Sequence, residues 1–202
     1  MGDGASSGGE RADTAVTDLR LGAVRAQNSG RCVESSHPGL SLNLGSGHCR
    51  WPGWVNVDLA GADVCSDLAT LPFETASVDR IAAIHVLEHL YAWDAVPTLR
   101  EWGRVLRPGG ELILELPCMD KVLHYITRCV TESVPVNLAF SWWAFWGDPK
   151  YRSVPMTHKW GYTYDSLQQV VAEAGYVQAR IETPHYHFAE RDMRVVCYKG
   201  AA

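Results

Sequence analysis

A short apolar segment that runs directly into a glycine-rich loop is the feature that most restricts how this chain can fold. Leu40-Ser-Leu-Asn-Leu44 has the composition of a buried strand, and Gly45-Ser-Gly47 follows it without a spacer. Glycines let the backbone turn tightly and approach a ligand closely, and a helix that starts after such a loop offers free N–H groups to an anion. The pattern predicts a ligand-binding loop at the carboxyl end of a first parallel strand.

Further apolar segments alternate with amphipathic ones along the rest of the chain. Strands are predicted at residues 54–58, 78–84, 111–116, 176–182 and 193–198, and helices from about residue 87, at 95–106 and at 164–174. Such alternation indicates a parallel α/β sheet, in which ligands bind beyond the carboxyl ends of the strands. The loops after Leu44, Asp58 and Ile84 all belong to that edge.

Length and charge limit the classes of protein to which this chain can belong. The 202 residues carry a formal net charge of -5, which disfavours a general nucleic-acid binder. No apolar run is long enough to cross a bilayer and no secretory signal is recognisable, so a cytoplasmic location is expected. The six cysteines form no Cys-x-x-Cys pair, which indicates reduced thiols.

Residues 1–38 are predicted to be a flexible leader and residues 39–202 one domain, and the oligomeric state stays open.

The surroundings of the glycine loop restrict its ligand. Arg50 stands where a dinucleotide-binding fingerprint has its third glycine, and no Gly-Lys-Ser/Thr phosphate loop exists. Asp58 ends the second strand sooner than the ribose-binding acid of that fingerprint would. A two-glycine loop followed by such an acid suits a ligand that has a ribose but no pyrophosphate.

Six stretches in order, over roughly residues 40–117, carry a resemblance to a known family. They are Leu42-Asn-Leu-Gly-Ser-Gly47, Gly53-Trp-Val-Asn-Val-Asp58, Asp67-Leu-Ala-Thr-Leu-Pro-Phe73, Ser77-Val-Asp79, His85-Val-Leu-Glu-His-Leu90 and Arg104-Val-Leu-Arg-Pro-Gly-Gly110. The sequence resembles the class I S-adenosylmethionine-dependent methyltransferases, in particular the methyltransferase type 11 group. The resemblance implies a Rossmann-like α/β fold with a seven-stranded, mostly parallel sheet whose last strand is antiparallel.

The resemblance also implies a set of contacts with the methyl donor, S-adenosylmethionine. Gly45, Ser46 and Gly47 would surround its methionine part, and Asp58 would accept hydrogen bonds from both ribose hydroxyls. Asp67 and Leu68 would face the adenine, Leu59 is included with the cofactor-binding residues, and His85 would border the sulfonium. These are the eight cofactor-binding positions that the sequence predicts.

His85-Val-Leu-Glu-His89 also has the spacing of a zinc-peptidase motif. That function needs both histidines on one helix, whereas a strand is predicted to run directly into His85. In some relatives a Glu-x-x-Glu-His form binds a divalent metal that positions the acceptor hydroxyl. Here His85, Glu88 and His89 would be the corresponding set, with His158 as a further ligand. A structural role for Glu88 is favoured over this metal-assisted alternative, and no metal ligand is assigned.

An aromatic-rich insert is predicted at about residues 132–162, and eight aromatic residues lie within residues 140–162. Packing on the core, a cover over the acceptor, and an interfacial patch are the alternatives. His89 and His158 are the candidate general bases. The predicted activity is methyl transfer to a hydroxyl or amine of a small-molecule or saccharide acceptor in a biosynthetic pathway. The alternative is an inactive domain that serves as a binding or partner module.

Overall fold

A seven-stranded sheet organises the residues that the computed structural model describes, residues 39–201; the predicted leader, residues 1–38, lies outside them. The strands are β1 (Ser41–Leu44), β2 (Val55–Asp58), β3 (Val64–Cys65), β4 (Val78–Ile84), β5 (Leu106–Pro117), β6 (Tyr176–Glu182) and β7 (Asp192–Lys199). The helices are α1 (Ala92–Val105), α2 (Met119–Thr131), α3 (Trp142–Trp146) and α4 (Tyr164–Glu173).

The strands lie in the order β3-β2-β1-β4-β5-β7-β6. All neighbouring pairs from β3 to β5 are parallel, and β7 is antiparallel to both β5 and β6. The predicted Rossmann-like, mostly parallel sheet with an antiparallel last strand is therefore confirmed. The order reverses at β1, so the glycine loop after β1 and the segment after β4 emerge side by side at the carboxyl edge.

Helices cover one face of this sheet and form the main core. Along α1, Ala95, Leu99 and Trp102 recur at helical spacing and are fully buried. Leu167 and Val171 of α4 bury against the same cluster. The alternate residues of the central strands supply the opposite side of this core, among them the even-numbered leucines of β5.

Loops cover much of the other face, which differs from the expectation of a helix after the glycine loop. Described residues 45–54 contain no helix, because ten residues that include Pro52 and three glycines are too few to build a crossover helix. Trp51 packs edge-on against Trp54 and stacks on Tyr186 at 5.0 Å between ring centroids. These aromatic rings bury Ala82, Ile113 and Val196 of the sheet.

Two further elements differ from the sequence prediction. Leu87–His89 is a single 3-10 turn, and the helix itself begins at Ala92. The helix α2 was not predicted; it is amphipathic and buries Met119, Val122 and Cys129. No helix in the described part of the chain is long and apolar enough to cross a membrane.

Candidate active site

The glycine loop turns sharply at the carboxyl end of β1. Gly45 and Gly47 adopt φ angles of +64° and +52°, in the left-handed region that other residues rarely enter. Ser46 lies between them, is buried, and donates its backbone N–H to the carbonyl of Val57. The loop is thereby attached to β2, the strand that ends in Asp58.

Asp58 connects the loop to the end of β2. Its Oδ2 accepts a hydrogen bond of 2.7 Å from the Gly47 N–H, and its Oδ1 accepts one of 2.7 Å from the Leu59 N–H. Each carboxylate oxygen has a second lone pair, so both oxygens keep the capacity to accept from a ligand. The structure therefore places the predicted glycine loop and the predicted ribose acid in direct contact.

The predicted adenine-side residues follow β3, next to the end of β2. Ser66 donates its N–H to the carbonyl of Asp58, which holds the two loops together. Asp67 is exposed and its Oδ1 accepts the N–H of Ala69, while Leu68 is half-buried against the core. Leu59 is 58% exposed at the same edge. Seven of the eight predicted cofactor positions thus form one continuous rim, and His85 lies beyond it at the end of β4.

Replacing Gly45 with alanine is expected to destabilise the fold by more than the left-handed backbone alone costs. A Cβ there would lie 2.4 Å from Cγ2 of Val86, a short buried side chain that cannot move aside. Gly61→Ala is the matched control, because Gly61 has φ +70° and open space around it. In urea unfolding we expect the control to lose about 1–2 kcal/mol of unfolding free energy. Gly45→Ala is expected to lose about 1–3 kcal/mol more than the control. Equal losses in both variants would contradict this packing argument.

His85 follows β4 with a φ of +54° and lies between two buried acids. Its Nε2 is 3.0 Å from Oδ2 of Asp192, and its Nδ1 is 2.9 Å from Oε1 of Glu88. Burial alone would lower the pKa of His85, but the carboxylates of Glu88 and Asp192 raise it to about 9. Both ring nitrogens of His85 are therefore engaged by carboxylates, and its predicted place beside the sulfonium stays a prediction.

The buried cation and the two acids belong to a larger network. Asp192, the first residue of β7, is fully buried and also receives two hydrogen bonds from Arg191, of 2.6 and 3.1 Å. The imidazolium and the guanidinium together lower the pKa of Asp192, against the effect of its burial. Arg191 in turn donates to the carbonyl of Ala139 in the aromatic insert. The positive charges of His85 and Arg191 therefore offset the negative charges of the two buried acids at this edge of the sheet.

Glu88 is the centre to which the insert is attached. The side chain is 1% exposed, and although burial would raise the pKa of its carboxyl, His85 lowers it to about 2. Its backbone carbonyl accepts the N–H groups of Lys159 and Trp160 at 2.8 and 3.2 Å. The main chain of Glu88 thus holds the insert, while its carboxylate faces the histidines; the predicted structural role of its side chain stays a prediction.

His89 and His158, the predicted general bases, lie against each other with ring centroids 4.8 Å apart. Nδ1 of His89 is 3.2 Å from the carbonyl oxygen of Thr157, and Nδ1 of His158 is 2.9 Å from that of Ala144. A carbonyl can only accept, so each Nδ1 carries the proton and each Nε2 presents a lone pair. Burial lowers the pKa of His158, which favours its neutral form.

Exposed aromatic rings of the insert adjoin His158, whose backbone N–H donates to the carbonyl of Trp146. Trp142 stacks on Trp146 at 5.4 Å, and Trp146 and Trp160 are 60% and 50% exposed. Close to His89 in the chain, Tyr91 stacks on Trp93 at 4.7 Å. Four of the insert's eight aromatic rings are exposed and the other four are partly or fully buried, so packing on the core accounts for only part of the set.

A second buried pair positions the loop before β7. Both oxygens of Glu115 accept backbone N–H groups, from His185 and Tyr186, and Arg194 donates to the same carboxylate. This loop brings the ring of His187 within 4.1 Å of the His85 ring. The sequence did not point to Asp192, Arg191 and Glu115, because a charged residue within or next to a strand gives no local signal of the partner that it meets in the fold.

Comparisons with known proteins agree with this geometry. Residues 48–114 match the family model described as "Methyltransferase domain". A "Probable S-adenosylmethionine-dependent methyltransferase" of Mycolicibacterium smegmatis is 45% identical over 71 residues, which are 35% of this chain and 24% of that protein. A protein of the same description from Mycobacterium tuberculosis is 38% identical over 72 residues, 36% of this chain and 23% of that one. The matched segment thus spans about a quarter of the length of these curated relatives.

Solved structures share the fold over most of the chain. A methyltransferase of Thermotoga maritima that depends on the same donor superposes with a TM-score of 0.55 at 15% identity, over 86% of this chain and 89% of that one. Because only 15% of the residues are identical, this similarity shows a shared fold and nothing about the reaction. The family model adds a sequence match over residues 48–114, which include Asp58, Asp67 and the turn after β4.

Proposed function

We propose that this chain is a class I S-adenosylmethionine-dependent methyltransferase and that it methylates a hydroxyl, or an amine, of a small-molecule or saccharide acceptor in a biosynthetic pathway. The observation that carries this proposal is the direct hydrogen bond between Asp58 and the Gly47 N–H. It joins the acid expected to hold the ribose to the loop expected to surround the methionine. One ligand that has both parts can contact them together.

The reaction follows from the chemistry of the donor. A lone pair of the acceptor oxygen or nitrogen forms a new bond to the methyl carbon while the carbon–sulfur bond breaks. The bonding electrons return to sulfur, which gives neutral S-adenosylhomocysteine, and the acceptor's proton must leave. The sulfonium is already activated, so positioning of the two reactants supplies most of the rate enhancement and proton removal a smaller part.

The histidine pair is assigned to the acceptor side. The Nε2 atoms of His89 and His158 are free of the carbonyls that hold the Nδ1 atoms, and they lie beside the carboxylate of Glu88. His85 is assigned to the support of this site rather than to proton removal, because both of its nitrogens are engaged.

The aromatic rings beside the histidines support a saccharide as the acceptor. Exposed, stacked pairs of aromatic rings offer flat apolar surfaces, and large exposed apolar groups mark interaction sites. A sugar ring has one comparatively apolar face of C–H groups and hydroxyls at its edge. It could therefore pack on such a ring while one hydroxyl points towards the histidine pair.

Calorimetric titration of the full chain with S-adenosylhomocysteine tests the proposal. We expect saturable binding with one ligand per chain and no saturable heat with NAD, because NAD has a pyrophosphate that the short loop does not accommodate. Absence of saturable binding of S-adenosylhomocysteine at millimolar concentration would overturn the assignment and favour a binding or partner module. With binding established, transfer of a labelled methyl group to a panel of saccharides and small hydroxyl compounds identifies the acceptor.

A further inference from the structure

Exposed apolar side chains are concentrated in one segment of the chain. Of the 15 large apolar side chains that are exposed among the described residues, seven lie within residues 138–160. The most exposed of the seven is Val154, at 75%. Large apolar groups that are exposed together mark interaction surfaces. We call the exposed apolar residues of this segment the insert patch.

Backbone contacts bring the parts of the insert patch together. One hydrogen bond joins Leu138 to α3, and another joins His158 to Trp146 at the end of α3. Gly147, which follows α3, lies so close to Met156 that a Cβ on the glycine would be 2.7 Å from the carbonyl oxygen of Met156. Leu138, α3 and the turn before His158 therefore form one surface.

The helix α3 turns its largest side chains outward. Its buried residue is Ala144, which clusters with Met119 and Val122 of α2. Trp142 and Trp146 stack on each other instead, and both are exposed. Burial of an indole contributes far more to stability than burial of a methyl group. The exposed indoles therefore indicate a partner outside the fold.

The charges of the same segment indicate what kind of partner it fits. Residues 138–160 contain three bases, Lys150, Arg152 and Lys159, and one acid, Asp148, in a chain whose formal net charge is -5. Asp148 is paired with Lys150, and its side chain is largely buried. The segment is thus locally positive. Indoles that lie at the level of lipid head groups, next to bases that meet anionic lipids, are typical of proteins that bind a membrane surface.

We propose that the insert patch docks on an anionic lipid surface. The indoles of Trp142 and Trp146 enter the head-group layer, and Lys150 and Arg152 lie against its negative charges. A second copy of the chain fits less well, because a twofold dimer would place the same positive surface on both sides. The proposal concerns binding and does not depend on the proposed function. Where both hold, an acceptor carried in the lipid surface meets His158 directly, since His158 adjoins Trp146.

Flotation of the full chain with lipid vesicles tests the proposal. We expect vesicles of phosphatidylcholine and phosphatidylglycerol to be bound at least about tenfold more tightly than vesicles of phosphatidylcholine alone, and salt to weaken the binding. The double variant Trp146→Ser/Val154→Ser is expected to bind the anionic vesicles at least about tenfold more weakly, because it loses apolar contact with lipid. Val177→Ser is the control, an exposed valine of β6 at the opposite, amino edge of the sheet.

A second double variant, Lys150→Gln/Arg152→Gln, tests the charge of the patch. We expect it to bind anionic vesicles at least about fivefold more weakly and to keep the native affinity for neutral ones. Arg107→Gln is the matched control, because Arg107 is an exposed base that is also paired with an acid, Asp79, and lies at the amino edge of the sheet. It should bind both kinds of vesicle as the native chain does.

The outcomes separate this inference from its alternatives. Absence of binding to both kinds of vesicle, equal affinity for the two, or equal losses in Trp146→Ser/Val154→Ser and Val177→Ser would overturn it. Light scattering that shows a native dimer and a monomeric Trp146→Ser/Val154→Ser variant would overturn it in favour of a second copy. Circular dichroism checks that the variants are folded. Calorimetry with S-adenosylhomocysteine is expected to give the native affinity in every variant, whereas absence of donor binding in the native chain would overturn the proposed function instead.

Discussion

Asp58→Ala is expected to bind S-adenosylhomocysteine at least about 100-fold more weakly than the native chain. A carboxylate that accepts two ribose hydroxyls contributes two hydrogen bonds to a charged group, each about 1.5–3 kcal/mol, and a factor of ten corresponds to about 1.4 kcal/mol. The variant also loses the bond from the Gly47 N–H, which holds the loop in position for the methionine part. Calorimetric titration of the native and variant chains measures the difference.

Asp58→Asn separates the two contributions to this loss. The amide oxygen can still accept the Gly47 N–H, but it carries no charge and one ribose hydroxyl meets an N–H₂ donor instead of an acceptor. An affinity between those of the native chain and Asp58→Ala is therefore expected. Asp165→Ala, on the exposed first turn of α4, is the control and should remain within twofold of the native affinity. A native-like affinity in Asp58→Ala would contradict the ribose assignment while leaving the donor itself unchallenged.

The proposed donor-binding edge was the part of the site that the sequence predicted best, because its residues are near one another in the chain. Gly45, Gly47 and Asp58 all lie within 14 positions, and each stands at the end of a strand whose apolar pattern is clear. Parallel strands carry their C-terminal loops to the same edge. Contact between Gly47 and Asp58 then follows from topology alone.

The acceptor side could not be predicted in the same way. Asp192 lies 107 positions from His85, and Arg191 has no local feature that indicates a partner across the sheet. The sequence pattern identified His85, Glu88 and His89 as one motif. In the structure His85 also reaches Asp192 of β7, Glu88 lies between His85 and His158, and His89 lies against His158. Only the placement of the insert decides which histidines share a site.

Short connections explain the remaining differences in the fold. The helix expected after the glycine loop is replaced by Trp51 and Trp54, whose rings cover the apolar sheet residues that a helix would otherwise bury. A hydrophobic pattern predicts that a surface is covered but does not specify the element that covers it. The donor edge is consequently built from loops held by Asn56, which bonds to Asn43, Trp51 and Asp63.

His85→Asn is expected to lower the free energy of unfolding by about 3–5 kcal/mol, because removing one partner of a buried ion pair leaves an uncompensated charge. Here the imidazolium faces two acids, Glu88 and Asp192, that are 1% and 0% exposed. Asparagine tolerates the left-handed backbone of this position, with its φ of +54°, so the backbone contributes little to the loss. Urea unfolding of the native and variant chains measures the difference in the free energy of unfolding.

A double-mutant cycle with Glu88→Gln shows whether the loss comes from the ion pair. If His85 stabilises the fold by compensating Glu88, Glu88→Gln should cost less in the His85→Asn background than in the native one, with a coupling of about 0.5–3 kcal/mol. His185→Asn, on the exposed loop before β7, should change stability by no more than about 0.5 kcal/mol. Additive losses would mean that His85 acts through packing. A coupled pair would mean that the charge of His85 keeps Glu88 ionised within the core.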